Sequence, residues 1–209
     1  MASHLESPNE TLNRVEQLLT EISETTTKFE QNIAYKCREG CGACCMKPNI
    51  EAQVIEMLPM ARYIIDSGRF EEVYQSLSGT DGGPCQMFQA HKDGEEKGRC
   101  SAYEFRPSVC RFFGFSAVKK KAGPPELANC YWQKKLYPDE LKDTQAKINA
   151  GMEVPIISEY GFRFQNLAPT AAMNILMPIN KALKVALEKQ MTNDCYRLGD
   201  DAMVPEISI

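Results

Sequence analysis

The sequence is poor in histidine, and it has neither an excess of basic residues nor a long apolar run. Only His4 and His91 are present, so a zinc site of the two-Cys, two-His kind is nearly excluded. The net charge of −4 leaves no broad basic face and argues against nucleic-acid binding. No stretch approaches the roughly 20 apolar residues of a membrane span, and no secretory signal is recognisable. These absences favour a cytoplasmic protein with no membrane or nucleic-acid partner.

Cysteine, in contrast, is abundant and unevenly placed. Four of the nine cysteines lie within residues 37–45, four more follow up to Cys130, and Cys195 stands apart. Because cytoplasmic thiols stay reduced, such a cluster indicates a metal site more often than a disulfide framework, and an odd total also fits poorly with complete pairing. The predicted metal ligands are Cys37, Cys41, Cys44, Cys45, Cys85, Cys100, Cys110 and Cys130. The alternative, cysteines acting as small buried apolar residues, would suit scattered positions better. Cys195 is predicted to be a plain thiol, and His91 a loop residue.

The local spacing of the first cysteines suits a loop that wraps around a metal. Zinc and iron both bind thiolates, and Cys37, Cys41 and Cys44 follow one another after gaps of three and two residues. Cys45 is adjacent to Cys44, and neighbouring side chains point in different directions in a helix or a strand. The two are therefore expected to bind different metal atoms. Two four-thiolate sites and one larger polynuclear site remain open, as do Zn²⁺ and a 4Fe–4S iron–sulfur cluster.

Basic residues flank the cysteines. Two zinc ions held by eight thiolates would carry a net charge of about −4, so cations nearby would balance the site and lower the thiol pKa values. The candidates for this role are Lys36, Arg38, Lys47, Arg99 and Arg111. Gly40 and Gly42 predict a loop with unusual backbone angles in the same segment.

Hydrophobic periodicity predicts a mainly α protein with a small β-hairpin, built as a compact single domain around the cysteines. A long N-terminal helix is expected over residues 7–34, with Ser7 as N-cap, Pro8 in the first turn and Glu10 completing a capping box. The other expected elements are helices over 50–66 (kinked or restarted at Pro59), 70–77, 139–150 and 170–191 (kinked at Pro178), a hairpin of residues 85–90 and 99–103, and a turn or short helix over 106–110.

Three regions follow from this pattern. They are an N-terminal amphipathic helix (1–34), a cysteine-cluster metal-binding domain (35–135) and a C-terminal helical region that packs on it (136–209). The apolar stripe of the first helix comprises Leu12, Val15, Leu19, Ile22, Thr26, Phe29 and Ile33. This stripe must be buried, and docking on the helix's own domain is favoured over a protein partner or a homodimer.

The cysteine motifs resemble those of the YkgJ-like cysteine-cluster family, which is described as zinc- or iron-chelating. The likeness rests on the cysteine loop 37–45, followed by Pro84-Cys85, Arg99-Cys100-Ser-Ala-Tyr103 and Arg106-Pro107-Ser-Val-Cys110-Arg111. It covers about residues 37–130, and the family's eight characteristic cysteines match the eight predicted here. The first gap, between Cys37 and Cys41, is three residues long, whereas the family's short label has two.

The resemblance implies metal binding but does not identify a reaction. The favoured hypothesis is a binding module whose cysteines hold iron, as an iron–sulfur cluster, or zinc. The alternative is an iron–sulfur enzyme, an oxidoreductase or a group-transfer enzyme, because flagellin lysine methylases resemble the family in their cysteine region. The chain shows no paired carboxylates, Ser/His/Asp set or glycine-rich nucleotide loop that would indicate catalytic residues.

Overall fold

The computed structural model describes residues 7–79, 82–92 and 94–201. His4 and the outer ends of the two predicted terminal regions, residues 1–6 and 202–209, lie outside the described residues. The chain begins with the long helix α1 (Pro8–Gln31), as predicted. Ser7 Oγ accepts a hydrogen bond from the Glu10 N–H at 3.2 Å, which satisfies one free donor of the first turn. The helix ends three residues earlier than expected, at Gln31.

Shorter helices and three small antiparallel strand pairs make up the rest. The further helices are α2 (Leu58–Asp66), α3 (Phe70–Ser76), α4 (Ser108–Phe112), α5 (Tyr131–Leu136), α6 (Pro138–Asn149), α7 (Ile157–Leu167) and α8 (Ile179–Asp201). The strands are β1 (Glu51–Gln53), β2 (Phe88–His91), β3 (Gly94–Cys100), β4 (Ala117–Val118), β5 (Glu126–Leu127) and β6 (Leu176–Pro178). β1 pairs with β6, β2 with β3, and β4 with β5. The predicted mainly α class with a small hairpin is therefore confirmed.

Two predicted helices are wrong at their N-terminal ends. Residues 51–53 form β1 and Ile55–Met57 a 3₁₀ turn, so that a new helix begins at Leu58 with Pro59 in its first turn. Towards the C-terminus, Ala171–Asn174 is a 3₁₀ turn, and Pro178 ends strand β6 instead of kinking a helix. Both errors have the same cause: the two segments form strands β1 and β6, which pair with each other so that Glu51 lies opposite Pro178.

Smaller differences concern the hairpin and the middle of the chain. The first hairpin strand begins at Phe88 instead of at residue 85. The second strand ends at Cys100, whereas it was expected to span residues 99–103. Tyr137, not Asp139, precedes the first residue of α6. Helices α5 and α7 were not predicted. The short helix after Pro107 is present as α4.

The main hydrophobic core contains residues from the first helix, the last helix and the segments between them. The stripe of α1 is buried from Leu12 to Phe29, and α1 packs against α2, α4 and α7. The main core also includes residues of α2 and α8, whereas Phe29 and Tyr35 belong to a smaller cluster with Phe115. The stripe thus lies against the chain's own helices, while pairing of two copies through α1 stays a prediction, as does the division into three regions. Among the described residues, no helix combines the length and the apolar character needed to cross a bilayer.

Candidate metal centre

The loop 37–45 is held by backbone hydrogen bonds to the hairpin and to Cys85. The Gly98 N–H donates to the Gly40 carbonyl at 2.9 Å, and the Cys85 N–H donates to the Cys45 carbonyl at 2.8 Å. Gly40 has a φ of +63°, the unusual backbone angle predicted for this loop, and this conformation favours glycine. At Gly42 the reason for glycine is different, because a Cβ there would lie 2.1 Å from Cε2 of Phe88.

Buried Asn180 at the start of α8 fixes the segment around Cys85. Its Nδ2 donates to the Pro84 carbonyl at 3.0 Å, and its Oδ1 accepts from the Gln86 N–H at 3.0 Å. The backbone is therefore held by Asn180 on both sides of Cys85. The backbone of Met87 lowers the pKa of Cys85, and the backbone of Ala102 lowers the pKa of Cys100, in both cases against the larger effect of burial. Backbone groups placed in this way favour the thiolate, the form that binds metals.

Cys130 is held in place by a buried glutamine. Its Sγ accepts from the Gln133 N–H at 3.3 Å, and its own N–H donates to Gln133 Oε1 at 3.1 Å, forming a capping box at the start of α5. The Gln133 side-chain amide also donates to the Gly114 carbonyl at 3.2 Å. The guanidinium of Arg38 lies 4.3 Å from the centre of the Trp132 ring, which brings the cysteine loop next to α5.

Cys110 is carried by α4, which a buried carboxylate anchors. Glu56 Oε2 accepts from the Ser108 N–H at 2.9 Å, and Oε1 accepts from the Gln53 N–H at 3.3 Å. Burial raises the pKa of Glu56 although both hydrogen bonds act in the opposite direction. Glu56 thus joins the helix that carries Cys110 to the segment that leads into α2.

The stability contributed by Glu56 should depend on pH. Because its pKa is raised in the fold, the folded state binds the proton more tightly than the unfolded chain does. As pH falls through the raised pKa towards the ordinary value of 4.5, the wild type should gain stability relative to Glu56→Gln, which has no carboxyl to protonate. Urea unfolding of both proteins between about pH 7.5 and 5 measures this difference, and the titration of the other groups cancels in it. A difference that does not change with pH would contradict the expectation.

Five of the eight cysteines form one electrostatically linked set, here called the inner group: Cys44, Cys45, Cys85, Cys100 and Cys110. Burial raises the pKa of Cys85, Cys100 and Cys110, and the charge of Cys44 raises each of them further. Three members, Cys85, Cys100 and Cys110, also pack against the main hydrophobic core. Thiols raise one another's pKa because their negative charges repel when both ionise. A cation bound among them would remove this repulsion.

The remaining three cysteines, Cys37, Cys41 and Cys130, form the outer group. Burial and then the charges of Cys41, Cys44 and Cys130 raise the pKa of Cys37 to about 11. The charge of Cys44 therefore acts on Cys37 of the outer group as well as on members of the inner group. All nine cysteines are free thiols, and Cys195 is exposed on α8. Cys195 is not among the residues that shift the pKa of Cys37 or of the inner group.

The adjacent thiols of Cys44 and Cys45 affect each other strongly: their interaction lowers the pKa of Cys44 to about 6 and raises the pKa of Cys45. Both residues lie in a turn, and the divergence of their side chains stays a prediction. Cys44 is the thiol most ready to ionise and the first expected to bind a metal.

Arg106 supplies positive charge that acts on the inner group. It lowers the pKa values of Cys44, Cys100 and Cys110, in each case against the effect of burial. Its guanidinium stacks 3.4 Å from the centre of the Tyr103 ring, and its Nε donates to the Tyr103 carbonyl at 2.9 Å. The sequence analysis missed Arg106, although the Arg-Pro-x-x-Cys-Arg segment contains it.

The five cations predicted from the sequence have other positions. Lys36, Lys47 and Arg99 are exposed, and Arg38 stacks on Trp132. Arg111 lies beside Cys110, yet its guanidinium donates to the backbone carbonyls of Arg106 and Glu104 and to the Ser23 hydroxyl. Arg111 therefore supports the backbone around Arg106.

Replacing Arg106 should weaken metal binding. Arg106→Gln removes a cation that favours three thiolates, and residues that support metal ligands in this way typically change metal affinity about 10- to 100-fold. Arg99→Gln is the matched control, because it removes the same charge next to Cys100 from an exposed side chain. Competition with a chromophoric chelator compares the two variants. Equal affinities in both would show that Arg106 does not act on the centre.

The donor set suits a thiophilic metal. Its members are all thiols, the ligands used for zinc and for iron–sulfur clusters, and the nearby His91 is exposed at the end of β2. Among the described residues, however, no three cysteine, histidine, aspartate or glutamate side chains already form a metal-binding arrangement. The convergence of the eight thiols on a metal therefore stays a prediction.

Comparison with known proteins identifies the family. Searches of curated proteins and of solved structures gave no match. One family model, CxxCxxCC, matches residues 36–142, just over half of the chain and all eight of the grouped cysteines. Its description reads "Putative zinc- or iron-chelating domain". The chain therefore belongs to this CxxCxxCC family.

Proposed function

We propose that the protein is a metal-binding protein whose eight grouped cysteines hold iron, as an iron–sulfur cluster, or zinc. The carrying observation is that all eight cysteines lie within the residues matched by the zinc- or iron-chelating family model. The charges of Cys44 and Arg106, which act on several of these thiols, support it. A set made only of thiols favours these metals over magnesium or calcium, which prefer oxygen ligands. Iron in such a cluster would supply electron transfer, whereas zinc would supply a structural cross-link.

The protein's own residues would prepare the ligands. Asn180, Glu56 and Gln133 fix the backbone around Cys85, Cys110 and Cys130, respectively, and therefore limit what must be ordered when the metal binds. Backbone groups at Met87 and Ala102 would stabilise the charge on two sulfurs. The proposal includes a cytoplasmic location, where thiols stay reduced and available.

Metal analysis of the full chain tests the proposal. After anaerobic purification from medium that contains iron and zinc, we expect bound iron with acid-labile sulfide and broad visible absorption, or bound zinc without either. The matched control is Cys195→Ser, which should bind as much metal as the wild type because Cys195 lies outside both groups. A chain that contains neither metal, or a Cys195→Ser variant that loses it, would contradict the proposal.

A further inference from the structure

We propose that a cavity beside the inner group binds a small anion that carries an aromatic ring. The cavity has a volume of about 660 Å³ and is open at the surface. Its lining includes Tyr63, Phe105, Tyr103, Arg69, Arg99 and Cys100. Cavities of this volume commonly hold ligands of a few hundred daltons.

The aromatic residues provide flat apolar walls. The rings of Tyr63 and Phe105 stack with their centres 4.4 Å apart and their planes 17° from parallel. Tyr103 is 55% exposed, and the guanidinium of Arg106 lies over its ring. Because Arg106 covers the Tyr103 ring from one side and much of the side chain is exposed, the ring can stack on a planar ligand.

The charged residues favour an anion. Arg69 already binds both carboxylate oxygens of Glu72, at 3.0 and 3.2 Å. The Arg99 side chain is exposed and makes no hydrogen bond or ion pair with the described residues, so its planar guanidinium can bind a carboxylate or a phosphate through two hydrogen bonds. Glu104 also lines the cavity, and because Arg69 is paired with Glu72, Arg99 is the guanidinium that we expect to bind the anion.

The position of the cavity would give a bound molecule access to the candidate metal centre. Cys100 belongs both to the cavity wall and to the inner group, and Tyr103 is the residue on which Arg106 stacks. Binding in the cavity goes beyond the proposed function and does not depend on it, because Arg99 and the aromatic walls are parts of the fold and not of the ligand set.

Ligand-observed NMR titration of the full chain, as purified, tests this site. The probes are phenylacetate and phenyl phosphate, with the neutral phenylacetamide as the uncharged analogue. We expect at least one anion to bind, the tighter one identifying carboxylate or phosphate as the recognised group, and phenylacetamide to bind at least about 10-fold more weakly. Arg99→Gln should weaken binding of the anion about 10-fold, whereas Lys121→Gln, which removes an exposed charge outside the cavity, should leave it unchanged.

Three results would overturn the inference: neither anion binds, phenylacetamide binds as tightly as the anions, or Arg99→Gln retains wild-type affinity. Metal content measured on the same samples distinguishes a failure of the cavity site from a failure of the proposed metal-binding function. A protein that lacks metal but binds phenylacetate through Arg99 would disprove the metal site and leave the cavity site standing.

Discussion

Complete removal of the metal should lower the melting temperature by about 10 °C, which corresponds to a loss of about 4 kcal/mol in the free energy of unfolding for a tightly bound ligand. The reason lies in the cysteine loop. Residues 37–49 contain turns and one isolated β-bridge but no helix, and the loop joins the rest of the chain through few backbone hydrogen bonds. A metal that binds only the folded arrangement therefore stabilises it by its own binding free energy.

The loss should be incomplete, since the main core does not depend on the loop. The core is formed by apolar residues of α1, α2 and α8, and the thiols of Cys85, Cys100 and Cys110 only border it. We therefore expect far-UV circular dichroism at room temperature to retain most of its helical signal after chelation, while the thermal transition shifts. Cys44→Ser should show part of this shift, because it removes a ligand of only one centre, and Cys195→Ser should melt like the wild type. Identical melting curves with and without metal would show that the metal does not stabilise this fold.

Local signals explain which parts of the fold could be predicted. The start of α1 follows from Ser7 and Pro8, and its buried stripe follows from helical periodicity, neither of which requires knowledge of distant residues. The segments that became β1 and β6 were assigned to helices because their apolar residues also fit a helical period. Their true state depends on pairing between residues that are more than 100 positions apart, which local sequence patterns do not encode.

The same distinction applies to the candidate site. Clustering along the chain identified the eight cysteines, and in the structure the charge of Cys44 acts on several of them. Their division into two groups depends on tertiary contacts, as does the selection of Arg106 from several nearby cations. Asn180 lies 95 positions after Cys85, so its role in holding that segment has no local signal in the sequence.

We expect two separate metal centres. One is formed by the inner group without Cys44, that is by Cys45, Cys85, Cys100 and Cys110, and the other by Cys44 together with the outer group of Cys37, Cys41 and Cys130. This assignment keeps the expectation that Cys44 and Cys45 bind different metal atoms. Metal content per chain should then fall by about half in Cys110→Ser and by about half in Cys130→Ser.

Double variants distinguish separate centres from one shared polynuclear cluster. Because losses within one centre are not additive, Cys44→Ser combined with Cys130→Ser should lose no more metal than either variant alone. Cys110→Ser combined with Cys130→Ser should lose nearly all of it, since one ligand is removed from each centre. Measured metal-to-protein ratios that fall to near zero in each single variant would instead indicate a single cluster that uses all eight thiols. A full metal content in Cys44→Ser would remove that residue from the ligand set and with it the four-thiolate outer centre.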